Sequence, residues 1–348
     1  MAYSAKFEQF KFAEKDKETF AGKRVLITGL GKDGGIGQAL ALAAAANGAE
    51  VVGVYFHSSY RDGFDLVAAI RAQGVKAFAM QADVTNTRDL WASRRYVIEQ
   101  MGGKGLDIVV CNSGLTEQGY RFDRALPEVK NESRGERRAR VRRDFIDNLG
   151  ESSLVLNTKI DGFVAMTHLW AGDAVYHKQP LQFIYISSMQ AIEPGVAVPG
   201  YAVANWAVLK LPEVLKVNLG RSADMVDACC VLLPFVRTGM TKAYPDNPKA
   251  FGRWQPRMFE TFEVARGVTQ LLGELRPWQL QARRRRHRRE YQPQMDPDKT
   301  ASNRNIPRLE YGCGESLPVF RGDLDEPYTE RHRQAAHHRD RVCADKIT

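Results

Sequence analysis

Short apolar runs recur through the first three quarters of the chain, and stretches of helical character separate them. Val25, Leu26 and Ile27 form the first run, followed by a glycine-rich turn and the helix-forming stretch QALALAAAANGA. AEVVGVYF (49–56) predicts a second strand, residues 61–73 a helix, and VKAFAMQADVT (75–85) a third strand ending at Asp83-Val84. Another helix is expected at about 87–101, then a fourth strand, LDIVVCNSG (106–114), that ends in a turn of small residues. A helix over 151–178, the strand LQFIYISS (181–188) and a helix over 201–220 follow, with Pro212 expected to kink or restart the last. MVDACCVLLPF (225–235) predicts a sixth strand and residues 262–275 a closing helix. Apolar strands alternating with helices predict an α/β chain with a doubly wound parallel sheet, buried on both faces.

Two stretches break this rhythm. Residues 115–150 contain the polar, basic run VKNESRGERRARVRRDF, and after residue 276 apolar residues are few and no period remains. The expected organisation is a polar lead-in (1–22) that packs its phenylalanines on the domain, a single domain (23–275) with a basic insertion (115–150), and an arginine-rich, irregular tail (276–348).

At 44% hydrophobic residues the 348-residue chain can bury a full core. Its formal net charge of +9 fits an anionic small ligand and says nothing about fold. The five cysteines are scattered, odd in number and without metal-ligand spacing, so reduced thiols, no bound metal and a cytoplasmic location are expected. The first residues are too charged for a signal peptide, and no apolar run is long enough to span a membrane. The run Arg283–Arg289 lacks aromatic neighbours for base stacking, so a nucleic-acid partner is not expected.

Candidate chemistry begins at RVLITGLGKDGGIG (24–37). A strand, a glycine turn and a helix aim backbone N–H groups and a helix N-terminus at a phosphate, and glycine leaves no Cβ in the way. Four further landmarks follow in order: ADVT (82–85), CNSG (111–114), ISS…Y (186–201) and PFVRTGM (234–240). Together the five resemble the short-chain dehydrogenase/reductases over about residues 20–275. The resemblance implies a Rossmann fold, a nicotinamide cofactor, a small carbonyl or alcohol substrate, and assembly as a homodimer or homotetramer.

Carried onto this chain, it assigns Gly29, Gly35, Ile36 and Gly37 to the pyrophosphate, Asp83 and Val84 to the adenine, and Asn112 and Gly114 to the floor under the cofactor. Pro234 and Thr238 fall at the nicotinamide carboxamide. The glycine turn is two residues longer than the usual pattern, and Cys111 and Phe235 stand where asparagine and glycine are customary. The second strand ends in YFHSSYR without the acid that would hold the ribose hydroxyls of NAD. His57, Ser58 and Arg61, with Lys32 from the glycine turn, suit a 2′-phosphate instead, so NADP(H) is expected.

The family's catalytic serine and tyrosine match Ser188 and Tyr201, thirteen residues apart. Its lysine, four residues beyond the tyrosine, is Asn205 here, and its asparagine, three residues before a glycine (Gly162), is Lys159. Asn157 lies two positions off that register, about 200° around a helix. Two readings stand: Lys159 and Asn205 have exchanged places, preserving an NADPH-dependent ketoreductase, or the site is repurposed and Lys159 is a surface lysine. In the first, Tyr201 donates the proton, Ser188 polarises the carbonyl, and a cation lowers the phenol's pKa toward a working range. The basic insertion would lie near the mouth of the cleft, either selecting an acidic or carrier-bound substrate or forming a solvated helix or mobile loop.

Overall fold

Arg24–Ile27 (β1) is buried along its whole length, with Val25 and Ile27 facing one apolar cluster and Leu26 the other. That two-sided burial is what an unbroken apolar strand requires of a parallel sheet. In the computed structural model, residues 4–12, 19–31, 34–58, 60–117, 129–195, 198–241 and 258–274 are described. Lys32, residues 118–128 of the insertion and the tail from 276 lie outside them.

Six parallel strands form the described sheet: β1, β2 (Val51–Phe56), β3 (Lys76–Gln81), β4 (Ile108–Cys111), β5 (Leu181–Ser188) and β6 (Val226–Leu233). Their order is β3-β2-β1-β4-β5-β6, with Ile27 beside Val54 on one side and Val110 on the other. The order reverses between β1 and β4, which opens a crevice beyond the carboxyl ends of those strands.

On one face lie α1 (Ile36–Ala46), α2 (Tyr60–Arg71) and α8 (Thr261–Glu274), with Phe7, Phe10, Phe12 and Phe20 of the lead-in packed into the same cluster. On the other lie α3 (Thr87–Gln100), α4 (Arg134–Leu156), α5 (Gly162–Tyr176), α6 (Pro199–Val208) and α7 (Leu211–Leu219). Nine of the eleven residues of α1 are buried, which accounts for its alanine-rich, nearly uniform composition. α6 ends at Val208, Lys210 stands at the N-cap of α7, and Pro212 sits in the first turn of α7, where its missing N–H has no helical partner to lose.

The insertion differs most from its sequence pattern. Its basic run is the first part of α4, which opens on a capping box: Ser133 accepts from the Glu136 amide and Glu136 from the Ser133 amide. Arg140 grips Glu132 through two nitrogens, both at 2.7 Å. The arginines read as a break in periodicity because this helix stands largely in solvent; Ser152 and Val155 are the buried residues it contributes. A π-helical turn (Asn157–Asp161) joins α4 to α5, so one helical rod runs across the sheet.

Gly53 lies in the middle of β2 because the Phe78 ring of β3 occupies the space of a Cβ there. Gly53→Ala should therefore lower unfolding stability by roughly 1–3 kcal/mol, the usual cost of overpacking. Urea titration should show the loss, with part recovered when Phe78→Leu is added.

Candidate active site

The ends of β1 and β4 touch backbone to backbone. Gly29 has φ +71°, and a Cβ on it would lie 2.5 Å from the Ser113 Cα. Asn112 donates through Nδ2 to the Gly29 carbonyl at 2.7 Å, and the Thr28 hydroxyl accepts from the Asn112 and Ser113 amides. Gly37 packs so close to the Gly29 carbonyl that a Cβ could not be accommodated. Gly35 begins α1 in extended conformation, and no side chain caps the helix or places an acid in its first turn. Open N–H groups, a positive helix end and a cradle that a Cβ would fill suit a pyrophosphate.

Around this cradle the assigned residues fall as follows. Asp83 and Val84 lie just past β3: Asp83 accepts from the Thr85 amide and hydroxyl, and its other oxygen is 3.9 Å from the His57 Nε2. Val84 is buried against Gly162, where a Cβ would come within 2.6 Å of it. His57 and Ser58 are exposed just past the end of β2, and Arg61 is exposed in the first turn of α2. Pro234 follows β6, and Thr238 sits in a turn closed by Thr241, whose hydroxyl accepts from the Thr238 amide.

Ser188, Tyr201 and Asn205 meet where β5 ends and α6 begins. The Ser188 hydroxyl accepts from the Gln190 amide at 3.2 Å. Burial raises the pKa of the Tyr201 phenol, while hydrogen bonds from Ser188 and Asn205 pull it back down. Asn205 is fully buried; it donates to the Tyr201 carbonyl at 2.8 Å, and its carbonyl groups accept from the Ser187 hydroxyl. Lys210, the next lysine along, is exposed and paired with Glu213.

Lys159 is not a surface lysine. It projects inward from the π-helical turn at 5% exposure, whereas Asn157 is exposed. Its ammonium donates to the Ile186 carbonyl at 2.6 Å, stands 4.6 Å from the centre of the Phe163 ring, and would lie 3.4 Å from a Cβ on Gly114. Burial lowers its pKa to about 8, with Cys230 and Cys111 nearby acting in the opposite sense. Burial also raises the Cys230 thiol to about 11 and holds Cys111 well above the usual thiol range, so both stay protonated and neutral near pH 7.

Glu117, six residues beyond β4, enters the same site without any signal from the sequence pattern. It is 1% exposed, and its carboxylate accepts from the amides of Gly200 and Tyr201 and from the Ser152 hydroxyl. Among the described residues no group of histidine, cysteine and acidic side chains is arranged to hold a metal, and no helix is long and apolar enough to cross a membrane.

Comparison with known proteins agrees with this geometry. The family model for short chain dehydrogenase matches residues 23–249. Hydroxynaphthalene reductase arp2 of Aspergillus fumigatus is 33% identical over 211 residues, 60% of this chain and 65% of that protein. Versicolorin reductase 1 of Aspergillus parasiticus is 38% identical over 110 residues, 31% of this chain and 39% of that protein. The chain thus spans less than two thirds of the length of either relative. Among solved structures, a short-chain type dehydrogenase/reductase from Mycobacterium marinum superposes with TM-score 0.59 at 23% identity, covering 75% of this chain and 92% of that one. A short chain dehydrogenase from Burkholderia cenocepacia, solved with NADP, gives TM-score 0.56 at 24% identity, covering 73% and 92%. With its family model matched across the whole sheet and its glycine turn, the chain belongs to the short chain dehydrogenases.

Proposed function

We propose that this protein is an NADPH-dependent carbonyl reductase acting on a medium-sized biosynthetic substrate. The observation that carries the reading is the Tyr201 phenol held by Ser188 and Asn205 beside a glycine cradle. The names of the two reductase relatives support it and make hydroxynaphthalenes the first substrates to try. The family uses nicotinamide cofactors, and the preference for the phosphorylated one rests on His57, Ser58 and Arg61 standing where NAD-type sites carry an acid.

When bound, the nicotinamide supplies a hydride to the carbonyl carbon. Tyr201 gives its hydroxyl proton to the carbonyl oxygen, so that an alcohol forms, and is reprotonated from solvent. Burial keeps the phenol protonated near neutral pH, as this direction requires. Ser188 orients the carbonyl oxygen by hydrogen bonding, and Asn205 steadies the tyrosine from one helical turn away. Lys159 is the one buried cation among the described residues near this centre, and it takes the charge-compensating role from the opposite helix.

A second reading follows from the lysine's own geometry. Its ammonium is bonded to the Ile186 carbonyl, and the groups acting on the phenol are neutral. That arrangement also suits a protein that binds the cofactor but has a repurposed site.

NADPH oxidation with a carbonyl panel separates the two readings: turnover is expected, and binding of NADPH with no turnover of any carbonyl would favour the second. Arg61→Ala should weaken NADPH binding by at least about tenfold while changing NADH little, since a cation on the 2′-phosphate is worth on the order of 1.5–3 kcal/mol. Lys159→Met should lower reductase turnover by about 100-fold, the lower end of the range for a group that stabilises transition-state charge; undiminished turnover would remove the lysine from the mechanism.

The same variant tests the burial of the charge. Between about pH 8 and 10.5 the unfolded chain keeps a proton that folded Lys159 has released, so folding gains stability as pH rises through that window. Below about pH 8 the folded protein bears the full cost of the buried cation. Lys159→Met should be more stable than the parent at pH 7, and the gap should shrink by roughly 3 kcal/mol toward pH 10.5. Urea unfolding at stepped pH measures it, and a flat gap would place the ammonium in water.

A further inference from the structure

The helix that carries Tyr201 lacks a cap of its own. α6 begins at Pro199, which has no N–H, and the residue before it, Val198, has no side chain able to accept a hydrogen bond. The first two amides of the helix, Gly200 and Tyr201, nevertheless have a partner. Glu117, 83 residues earlier than Gly200, accepts from the Gly200 amide at 2.6 Å on one oxygen and from the Tyr201 amide at 3.1 Å on the other. The oxygen on Gly200 also accepts from the Ser152 hydroxyl of α4 at 3.0 Å.

Burial makes the arrangement specific. Glu117 is 1% exposed and Ser152 8% exposed, so each donor lost would leave a buried polar group unpaired. Gly200 is small for the same reason, because a Cβ there would collide with the carboxylate. An acid at a helix N-terminus is also favoured by the helix dipole.

The position of Glu117 in the chain gives the contact its consequence. It is three residues beyond Gly114, in the loop that continues the floor of the proposed cofactor site. One carboxylate therefore ties three parts together: the β4 loop, the rod α4 and the first turn of the helix bearing the phenol. We infer that Glu117 is a positioning residue that registers Tyr201 against the cofactor floor. For its kinetic arm this inference rests on the reductase reading; its structural arm does not.

The test uses the full chain and the variants Glu117→Gln and Ser152→Ala. Glutamine offers one acceptor oxygen instead of two and turns an N–H₂ toward the remaining donors. Amide hydrogen exchange over residues 198–208 should quicken by at least about tenfold in Glu117→Gln, with the sheet strands unchanged, as local opening of one element predicts. Reductase kcat should fall by about 10–100-fold while KM for NADPH stays within about threefold, the pattern of a misplaced reacting group with cofactor binding intact. Ser152→Ala, which removes only the α4 anchor and keeps both amide bonds, should quicken the same exchange by about threefold, and it decides the matter should Glu117→Gln not fold. Unchanged exchange at the start of α6 in folded protein would overturn the inference. So would equal loss of protection throughout the sheet with kcat and KM altered together. If the parent protein reduces no carbonyl, the reductase reading fails, and the exchange result still decides the clamp.

Discussion

The crevice in this protein exists because the ends of β1 and β4 meet with no side chain between them. Gly29, in the left-handed region, lies against the Ser113 backbone, and the Asn112 amide group and Thr28 hydroxyl stitch the two turns together. Any larger residue at position 29 would push apart the strands at which the sheet reverses its order. The glycine cradle and the open end of α1 lie on one side of this contact. On the other, the β4 turn runs over the Lys159 ammonium and on to Glu117.

Lys159 and Asn205 set the electrostatics of the site. Lysine in the interior carries a desolvation cost that only a useful charge or good partners offset. Here its partners are a backbone carbonyl, an aromatic face and two neutral thiols. Asn205 has the opposite character: a neutral amide, fully buried, whose hydrogen bonds tie α6 to the end of β5 through Ser187. A positive group in the π-helical turn and a neutral one under the tyrosine invert the usual distribution of charge in such a site. The π-helical turn matters here, because it is the segment that turns Lys159 inward and leaves Asn157 in solvent.

The basic insertion gains meaning from the rod it builds. Its arginines line a helix that stands in solvent for most of its length, while its last turns carry Ser152 and Val155 into the interior and lead directly to Lys159. The side chains that touch the site come from that buried end. A buried carboxylate at the N-terminus of α6 links the rod to the helix that carries Tyr201, so the insertion and the candidate site share one hydrogen-bonded network.

The sheet, its parallel order and the glycine cradle were legible in the chain, because apolar strands buried on both faces and a glycine turn before a helix are local patterns with period and composition of their own. The strand, turn and helix at 24–46 and the restart at Pro212 belong to that class, whereas Ser188 and Tyr201 were singled out only by the family resemblance. Strand ends were less legible: β3 stops at Gln81 and β4 at Cys111, since the residues beyond them are held by side-chain hydrogen bonds that periodicity does not record. The helical state of residues 134–150 was left open between a solvated helix and a loop, because a solvated helix needs no apolar stripe. That Lys159 is buried, and that Glu117 caps a helix 83 residues away, only the tertiary structure decided. Helical register fixes which way a residue points relative to its neighbours, whereas burial and long-range hydrogen bonds depend on which other elements arrive opposite it.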